Sequence, residues 1–249
     1  MTKRNSLFAA LIAALASASG SPAIAADGEI LITHAKALAG NITPGDAPGY
    51  PITLSKTGSY RLGGNLIPGA GKTGIEITGD FVTLDFGGFT LNGRNIVEDG
   101  IFGGSAKGAR IENGSITNFK GYGVFSVGHM WIIENMVVTG SKNGVLLNAR
   151  MGRVLHSTVS NNLDDGLTCT ISCLVEGNIV SQNGRSGLTV KIGAARRNVI
   201  MHNASFGLVR TPWLGYGENT IEDNNNGGDQ TLGGFKRLFP NACDPTPCP

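Results

Sequence analysis

The feature that most constrains this chain is a glycine followed by an aliphatic residue, which returns about every twenty-one residues. The 249-residue chain contains 38 glycines, but it has no Gly-X-Y period and no Pro-Gly tract, which excludes collagen-like and linker-like structures. Regular spacing of this length indicates a repeat architecture. The dipeptides are Gly74-Ile75, Gly100-Ile101, Gly123-Val124, Gly144-Val145, Gly166-Leu167, Gly187-Leu188 and Gly207-Leu208, at gaps of 26, 23, 21, 22, 21 and 20 residues, with Gly228 as a weaker continuation.

A second aliphatic column precedes the later glycines by seven residues, and several asparagines stand two residues before it. Its members are Ile116, Val137, Val159, Val180, Ile200 and Ile221, and the asparagines are Asn135, Asn178, Asn198 and Asn219. Short β-branched runs predict strands, and Asn tolerates the left-handed backbone of a tight turn. A unit of this length is too short for a strand-helix-strand motif, which needs about thirty residues. It can hold three short strands, and stacking such coils buries their inward aliphatic side chains.

With these columns the sequence resembles the pectin-lyase-like superfamily over residues 58–234. The resemblance implies an all-β fold, a single right-handed parallel β-helix of about eight coils with three parallel sheets. The Gly-aliphatic segments would form the first sheet, and the segments before and after the asparagines would form the second and third. The asparagines themselves would form the turn between those two sheets and stack as a ladder.

The ends of the chain differ in character from the repeat. Residues 1–26 combine Lys3 and Arg4, an apolar run, and the small-residue site Ala23-Ile24-Ala25, which predicts a signal peptide and export to the periplasm or medium. Residues 27–57 are predicted to cap the helix, and residues 235–249 to form a C-terminal tail. No later apolar stretch is long enough to span a membrane. Without residues 1–26 the basic and acidic residues are equal in number, which argues against a nucleic-acid partner.

Four cysteines in an exported chain favour two local disulfides. The predicted pairs are Cys243 with Cys248, across a proline-stiffened loop, and Cys169 with Cys173, across a single turn. Two inward-facing free thiols at Cys169 and Cys173 are the alternative.

In the resembled superfamily, binding clefts run along the outside of the first sheet and the turn that enters it. Strand alternation places Phe102, Phe125 and Leu146 on this outer face, with Lys191 also pointing outward further along. The apolar stripe is predicted to contact substrate by stacking on sugar rings, or to pack against a protein partner or a second copy of the chain. The alternative is that the N-terminal cap or a long turn covers it.

The entering turn carries the candidate catalytic groups, Lys142, Asp164, Asp165, Arg185 and Tyr122. The simplest interpretation is a charge ladder between coils, with Asp164 between Lys142 and Arg185. The catalytic interpretation is a polyuronate site in which Lys142 or Arg185 neutralises a carboxylate and Asp165 or Tyr122 exchanges the proton alpha to it. Glycoside hydrolysis is disfavoured because Asp99 and Asp165 lie three coils, roughly 14 Å, apart.

No metal site or cofactor is expected, because the acidic cluster that binds calcium in the superfamily's pectate lyases is absent from the sequence. The superfamily's fold also occurs in adhesins and accessory proteins, so the fold assigns no function. Two hypotheses therefore remain. In the first, the protein binds a polysaccharide or a cell-envelope partner through the first sheet without catalysis. In the second, it is a polysaccharide lyase or C5-epimerase acting on an acidic glycan.

Overall fold

The computed structural model describes residues 28–71, 73–233, 236–237 and 240–244, so the predicted signal peptide lies outside the described residues. Almost all of the regular structure is β. In chain order the elements are β1 (Ile30–Ile32), α1 (His34–Ala39), β2 (Ile52–Leu54), β3 (Gly58–Leu62), β4 (Ile75–Ile77), β5 (Val82–Asp85), β6 (Thr90–Asn92), β7 (Ile101–Gly103), β8 (Arg110–Thr117), β9 (Tyr122–Ser126), β10 (Ile132–Thr139), β11 (Asn143–Arg150), β12 (Arg153–Leu155), β13 (Thr158–Ser160), β14 (Leu167–Ile171), β15 (Cys173–Glu176), β16 (Ile179–Ser181), β17 (Leu188–Arg196), β18 (Val199–Met201), β19 (Leu208–Gly217), β20 (Thr220–Glu222), a 3₁₀ turn (Asn225–Gly227), β21 (Thr231–Leu232), β22 (Lys236–Arg237) and β23 (Ala242–Asp244).

The strands form the predicted right-handed parallel β-helix, with about nine turns where about eight were predicted. Each strand pairs in parallel with its equivalent one coil away, which gives three sheets. The first sheet contains β2, β4, β7, β9, β11, β14, β17, β19 and β21. The second contains β1, β3, β5, β12, β15 and β22 with parts of β8, β10, β17 and β19. The third contains β6, β13, β16, β18, β20 and β23 with the remainders of β8 and β10.

The glycine column marks places where adjacent coils approach too closely for a side chain. A Cβ at Gly166 would lie 2.6 Å from the carbonyl oxygen of Gly187 and 2.6 Å from Nδ2 of Asn183, so neither neighbour leaves room for a side chain. The aliphatic residue that follows each glycine points inward, and Leu167 and Leu188 are both fully buried. The recurring dipeptide therefore combines a close backbone contact with a core side chain.

The predicted asparagine ladder is present between the second and third sheets. The side-chain oxygens of Asn198 and Asn219 each accept hydrogen bonds from the preceding ladder residue, from its backbone N–H at 3.0 Å and its side-chain amide at 2.9 to 3.0 Å. Asn178, Asn198 and Asn219 are all buried. This arrangement satisfies polar groups that would otherwise be orphaned inside the turns.

Asn135 and Val137 do not occupy their predicted columns. Asn135 is exposed and has a φ of 53°, so it forms the left-handed turn, and Met136 occupies the ladder position. Val137 is 40% exposed, while Val138 is the buried residue in line with Val159. The assignments of Asn135 and Val137 are therefore wrong by one residue.

A second ladder, which the sequence analysis did not anticipate, lies in the turn that enters the first sheet. Asn162, Asn183, Asn203 and Asn224 follow one another at ladder spacing, and each is buried. Gln230 ends the series by accepting from the Asn224 backbone N–H at 2.9 Å. Two of the three turns between sheets are thus fixed by buried amides.

The first coil of the β-helix begins inside residues 27–57, the segment predicted as the N-terminal cap. Strands β1 and β2 already pair with the second and first sheets. Helix α1 is capped by Thr33, whose side chain accepts from the Lys36 N–H, and it buries Ala37. None of the first-sheet pairings involves α1, which belongs to the end of the stack.

Candidate functional site

The outer face of the first sheet carries a cluster of aromatic rings. Phe102 pairs with Phe125, and Phe125 pairs with Leu146, so the predicted stripe lies on three adjacent coils. The Phe102 and Phe125 ring centroids are 5.6 Å apart, and the Tyr122 ring lies 5.1 Å from that of Phe125. All four side chains are partly exposed. We call Phe102, Tyr122 and Phe125 the aromatic platform.

A buried tryptophan supports the platform from below. Trp131 is fully buried, and its Nε1–H donates to the carbonyl oxygen of Ala106 at 2.8 Å. Its ring fills the space next to Gly103, where a Cβ would collide with it. Since Gly103 directly follows Phe102 on β7, the indole fixes the strand that presents one platform ring.

Asp165 is held in place by its neighbours. Its Oδ1 accepts from the Ser186 backbone N–H at 3.2 Å, and its Oδ2 lies 4.0 Å from Nη1 of Arg185. The side chain of Arg185 is 66% exposed, whereas that of Asp165 is 33% exposed. Oδ1 is therefore held by a hydrogen bond, Oδ2 has a long ion-pair contact, and the cation of the pair faces solvent.

The other charged residues of the entering turn follow the expected register. Backbone hydrogen bonds from Asp164 N to Lys142 O at 2.7 Å and from Arg185 N to Asp164 O at 3.0 Å place Asp164 between the two cations. The ion pair of this group joins Arg185 to Asp165 rather than to Asp164. Lys142 is exposed on the coil next to Phe125, and Arg185 is exposed two coils further along, so two cations that solvent can reach follow the platform along the helix axis.

Asp99 occupies the same column as Tyr122 and Asp165, nearer the N-terminal end. Burial raises the pKa of Asp99, a hydrogen bond from the Tyr122 N–H lowers it, and the charge of Glu98 raises it. The Tyr122 N–H donates to Asp99 Oδ1 at 2.7 Å. Tyr122 and Asn143 lie between Asp99 and Asp165 in the stack, so the two carboxylates are not placed on either side of a single glycosidic bond.

Lys191 lies apart from the platform. It is exposed on β17, three coils beyond Phe125, and its carbonyl oxygen accepts from the Thr211 hydroxyl. Three coils correspond to about 14 Å. The structure thus places Phe102, Phe125 and Leu146 on consecutive coils with Tyr122 and Lys142. Asp164 and Asp165 lie two coils beyond Phe125, and Arg185 and Lys191 lie three coils beyond it.

Both predicted disulfides involve oxidised cysteines where the structure describes them. Cys169 and Cys173 are bonded, with their Cα atoms 6.1 Å apart, so the free-thiol alternative is wrong. Cys243 is also disulfide-bonded, and its predicted partner Cys248 lies outside the described residues.

Within residues 28–244 as described, no three His, Cys, Asp or Glu side chains come together in an arrangement that could hold a metal ion. No helix in the same part of the chain has the length and apolar character needed to cross a bilayer.

The strand pairing defines the class of this protein as a right-handed parallel β-helix protein. No protein-family model matches the sequence, and no curated protein matches it. Among solved structures it is similar to the A-module of the mannuronan C-5 epimerase AlgE4 of Azotobacter vinelandii, with 14% identity, a TM-score of 0.51, and coverage of 87% of this chain and 78% of the other.

Two further structures share this fold. For a variant of the periplasmic alginate epimerase AlgG the identity is 14%, the TM-score 0.56 and the coverage 84% of this chain, which spans 61% of that chain. For the pectate lyase Pel9A the identity is 14%, the TM-score is 0.53, and the match covers 88% of this chain and 68% of the other. At this level of identity the likeness establishes the fold alone.

Proposed function

We propose that the protein is exported and binds an acidic polysaccharide along the outer face of its first sheet. The observation that carries the proposal is the aromatic platform with Lys142 on the next coil and Arg185 two coils further along the same face. Sugar rings have apolar faces that stack on aromatic side chains, and uronate carboxylates pair with exposed cations. The Cys169–Cys173 disulfide supports export, because disulfides persist in oxidising compartments.

Structural neighbours with the same fold support the choice of ligand class. Their names describe proteins that act on mannuronan, alginate and pectate. A protein partner or a second copy of this chain is the alternative occupant of the platform.

The proposal is tested with a Phe102→Ser/Phe125→Ser variant. We expect its binding to oligomannuronate or oligogalacturonate, measured by calorimetry, to weaken by roughly tenfold. Phe81→Ser is the matched control, since Phe81 is 58% exposed and lies outside the first sheet. Unchanged affinity in a double variant whose circular dichroism is unaltered would refute the proposal. Self-association of the wild type that is lost in the double variant would instead identify a second copy as the occupant.

Catalysis is the second candidate, favoured by Tyr122 and Asp165 lying two coils apart in one column, with Arg185 paired to Asp165 on the following coil. A base would remove the proton at C5 of a uronate while a cation neutralises its carboxylate. The C4 oxygen would then leave in an elimination, or a proton would return to the opposite face in an epimerisation. Binding takes precedence because the two candidate proton-exchanging groups, Tyr122 and Asp165, lie two coils apart and Oδ1 of Asp165 already accepts a hydrogen bond from Ser186. Ultraviolet absorbance of unsaturated ends and proton NMR of epimerised residues distinguish these outcomes from simple binding.

A further inference from the structure

A groove of about 530 Å³ lies where the chain turns from the first sheet into the second. One wall is the outward row that includes Met151, Ile192 and Trp213, and the other is the second-sheet row that begins at Arg153. Because both rows follow the coil-to-coil register, the groove runs along the helix axis. We call it the exit-turn groove.

Small residues and a disulfide form the floor of this groove. A Cβ at Gly152 would lie 3.0 Å from Leu147 Cδ1 and 3.3 Å from Sγ of Cys169, and a Cβ at Gly193 would collide with the backbone of Cys173. The Cys169–Cys173 bond ties this floor to the first sheet. The groove is therefore shaped before any ligand arrives, which lowers the entropic cost of binding.

The charges around the groove all have one sign. Its lining residues lie in segments 148–153, 170–174, 191–195 and 211–214, and the sequences of these segments contain no Asp or Glu. Arg153 lines the groove itself, and Arg150 and Lys191 each precede a lining residue, Met151 and Ile192; all three cations are exposed. Within the described part of the chain, none of these three cations forms a salt bridge. Such a strip attracts an anion without first having to break an internal ion pair.

Other arginines of the second sheet do form salt bridges, so the unpaired cations are a local property of the groove. Arg110 pairs with Glu112 and Glu134, and Arg196 pairs with Glu176 at 2.9 Å. The chain thus neutralises its cations elsewhere on this sheet and leaves them available at the groove.

An exposed tryptophan stands at the C-terminal end of the groove. Trp213 is 74% exposed, whereas Trp131 is fully buried. Trp213 pairs with Ile192, itself 40% exposed, so its indole continues the apolar wall. An aromatic face at one end and Arg153 at the other suit a ligand that combines rings with carboxylates.

We propose that the exit-turn groove is a second binding site for an acidic oligosaccharide, with Trp213 stacking on a sugar ring and Arg150, Arg153 and Lys191 pairing with its carboxylates. The choice of ligand class rests on the proposed function, while the site itself is separate from the aromatic platform. A chain-like ligand is favoured over an anionic bilayer because the floor of glycines and Ala194 is concave.

The two tryptophans supply the assay. Because Trp131 is buried and Trp213 exposed, added oligogalacturonate or oligomannuronate is expected to change the fluorescence of Trp213 in the full mature chain. Arg153→Gln and Lys191→Gln should each weaken the response by roughly fivefold, and raising the salt concentration should weaken it further. Arg94→Gln, an exposed arginine outside the groove, is the matched control. Calorimetry with Trp213→Ala tests the stacking contact independently of the signal.

The platform variant separates this proposal from the proposed function. Phe102→Ser/Phe125→Ser should leave the Trp213 response unchanged if the groove is an independent site. Absence of a response, a response equal with neutral cello-oligosaccharides, or one insensitive to both Arg153→Gln and Lys191→Gln would overturn the proposal. A response to phosphatidylglycerol vesicles but not to the acidic oligosaccharides would overturn it in favour of a membrane surface.

Discussion

Replacing Asn183 by Ala should destabilise the protein by about 3 kcal/mol, because this side chain connects three coils. Its oxygen accepts from the backbone N–H of Asn162 at 3.2 Å and from Asn162 Nδ2 at 2.9 Å. Its own amide donates to Val159 O at 3.2 Å and to Asn203 Oδ1 at 2.9 Å. The substitution leaves two buried donors of Asn162 short of a partner. Each unsatisfied buried group costs about 1 to 3 kcal/mol, and partial hydration of the vacated space keeps the total near the lower end.

Urea unfolding followed by circular dichroism and tryptophan fluorescence measures this loss. Asn161→Gly is the matched control, since Asn161 is the exposed sequence neighbour of the ladder residue Asn162 and its φ of 54° suits glycine. We expect the control to change the free energy of unfolding by less than about 0.5 kcal/mol. A loss below about 1 kcal/mol for Asn183→Ala, or one no larger than the control's, would refute the view that the second ladder stabilises the entering turn.

Three further predictions concern the glycine column, the disulfide and a buried acid. Gly166→Ala should lower the free energy of unfolding by at least about 2 kcal/mol through overpacking. In the control Gly64→Ala, the new Cβ has nothing within 4 Å and should change this free energy little. Equal urea midpoints for the two variants would contradict the prediction. The double variant Cys169→Ala/Cys173→Ala should lose about 2 kcal/mol of unfolding free energy, because the short loop is no longer closed in the unfolded chain. Urea denaturation under non-reducing conditions measures this loss, and a value under about 0.5 kcal/mol would contradict the prediction. The raised pKa of Asp99 means that ionisation costs folding free energy. This cost is absent below the unfolded value of about 3.9, grows as pH rises above it, and is complete once pH exceeds the folded pKa. Asp99→Asn should therefore stabilise the protein relative to wild type at about pH 7 but not at about pH 3, and a pH-independent difference would count against this assignment.

The first sheet could be predicted from the sequence because each glycine lies at a fixed distance from an inward residue. Counting backward from the glycines failed where the entering turn changes length. Two residues separate the ladder position Ser141 from Gly144, whereas three separate Asn162 from Gly166. This missing residue shifted Val137 into a place that Val138 occupies. A column is reliable only as far as the turns between its strands keep one length.

The candidate site was predictable in part. Strand alternation placed Phe102 and Phe125 on one face, but it could not show that Asp165 accepts from a backbone N–H of the next coil. The second ladder did leave a signal, since Asn162, Asn183, Asn203 and Asn224 recur at the same period as the glycines. The exit-turn groove left no such periodic signal in the sequence, because Trp213 and Arg153 belong to turns of different sequence and length.

The asparagine ladders also bear on how such a chain can grow. In the middle of a ladder every amide meets an amide above and another below, as Asn198 does between Asn178 and Asn219. A tandem duplication of one central coil would insert a unit whose polar groups all find the same partners, so the helix can lengthen there without a new interface. At the C-terminal end Gln230 closes the second ladder by turning back to the carbonyl oxygens of Asn224 and Gly228, and a coil added after it would have no open amide to join.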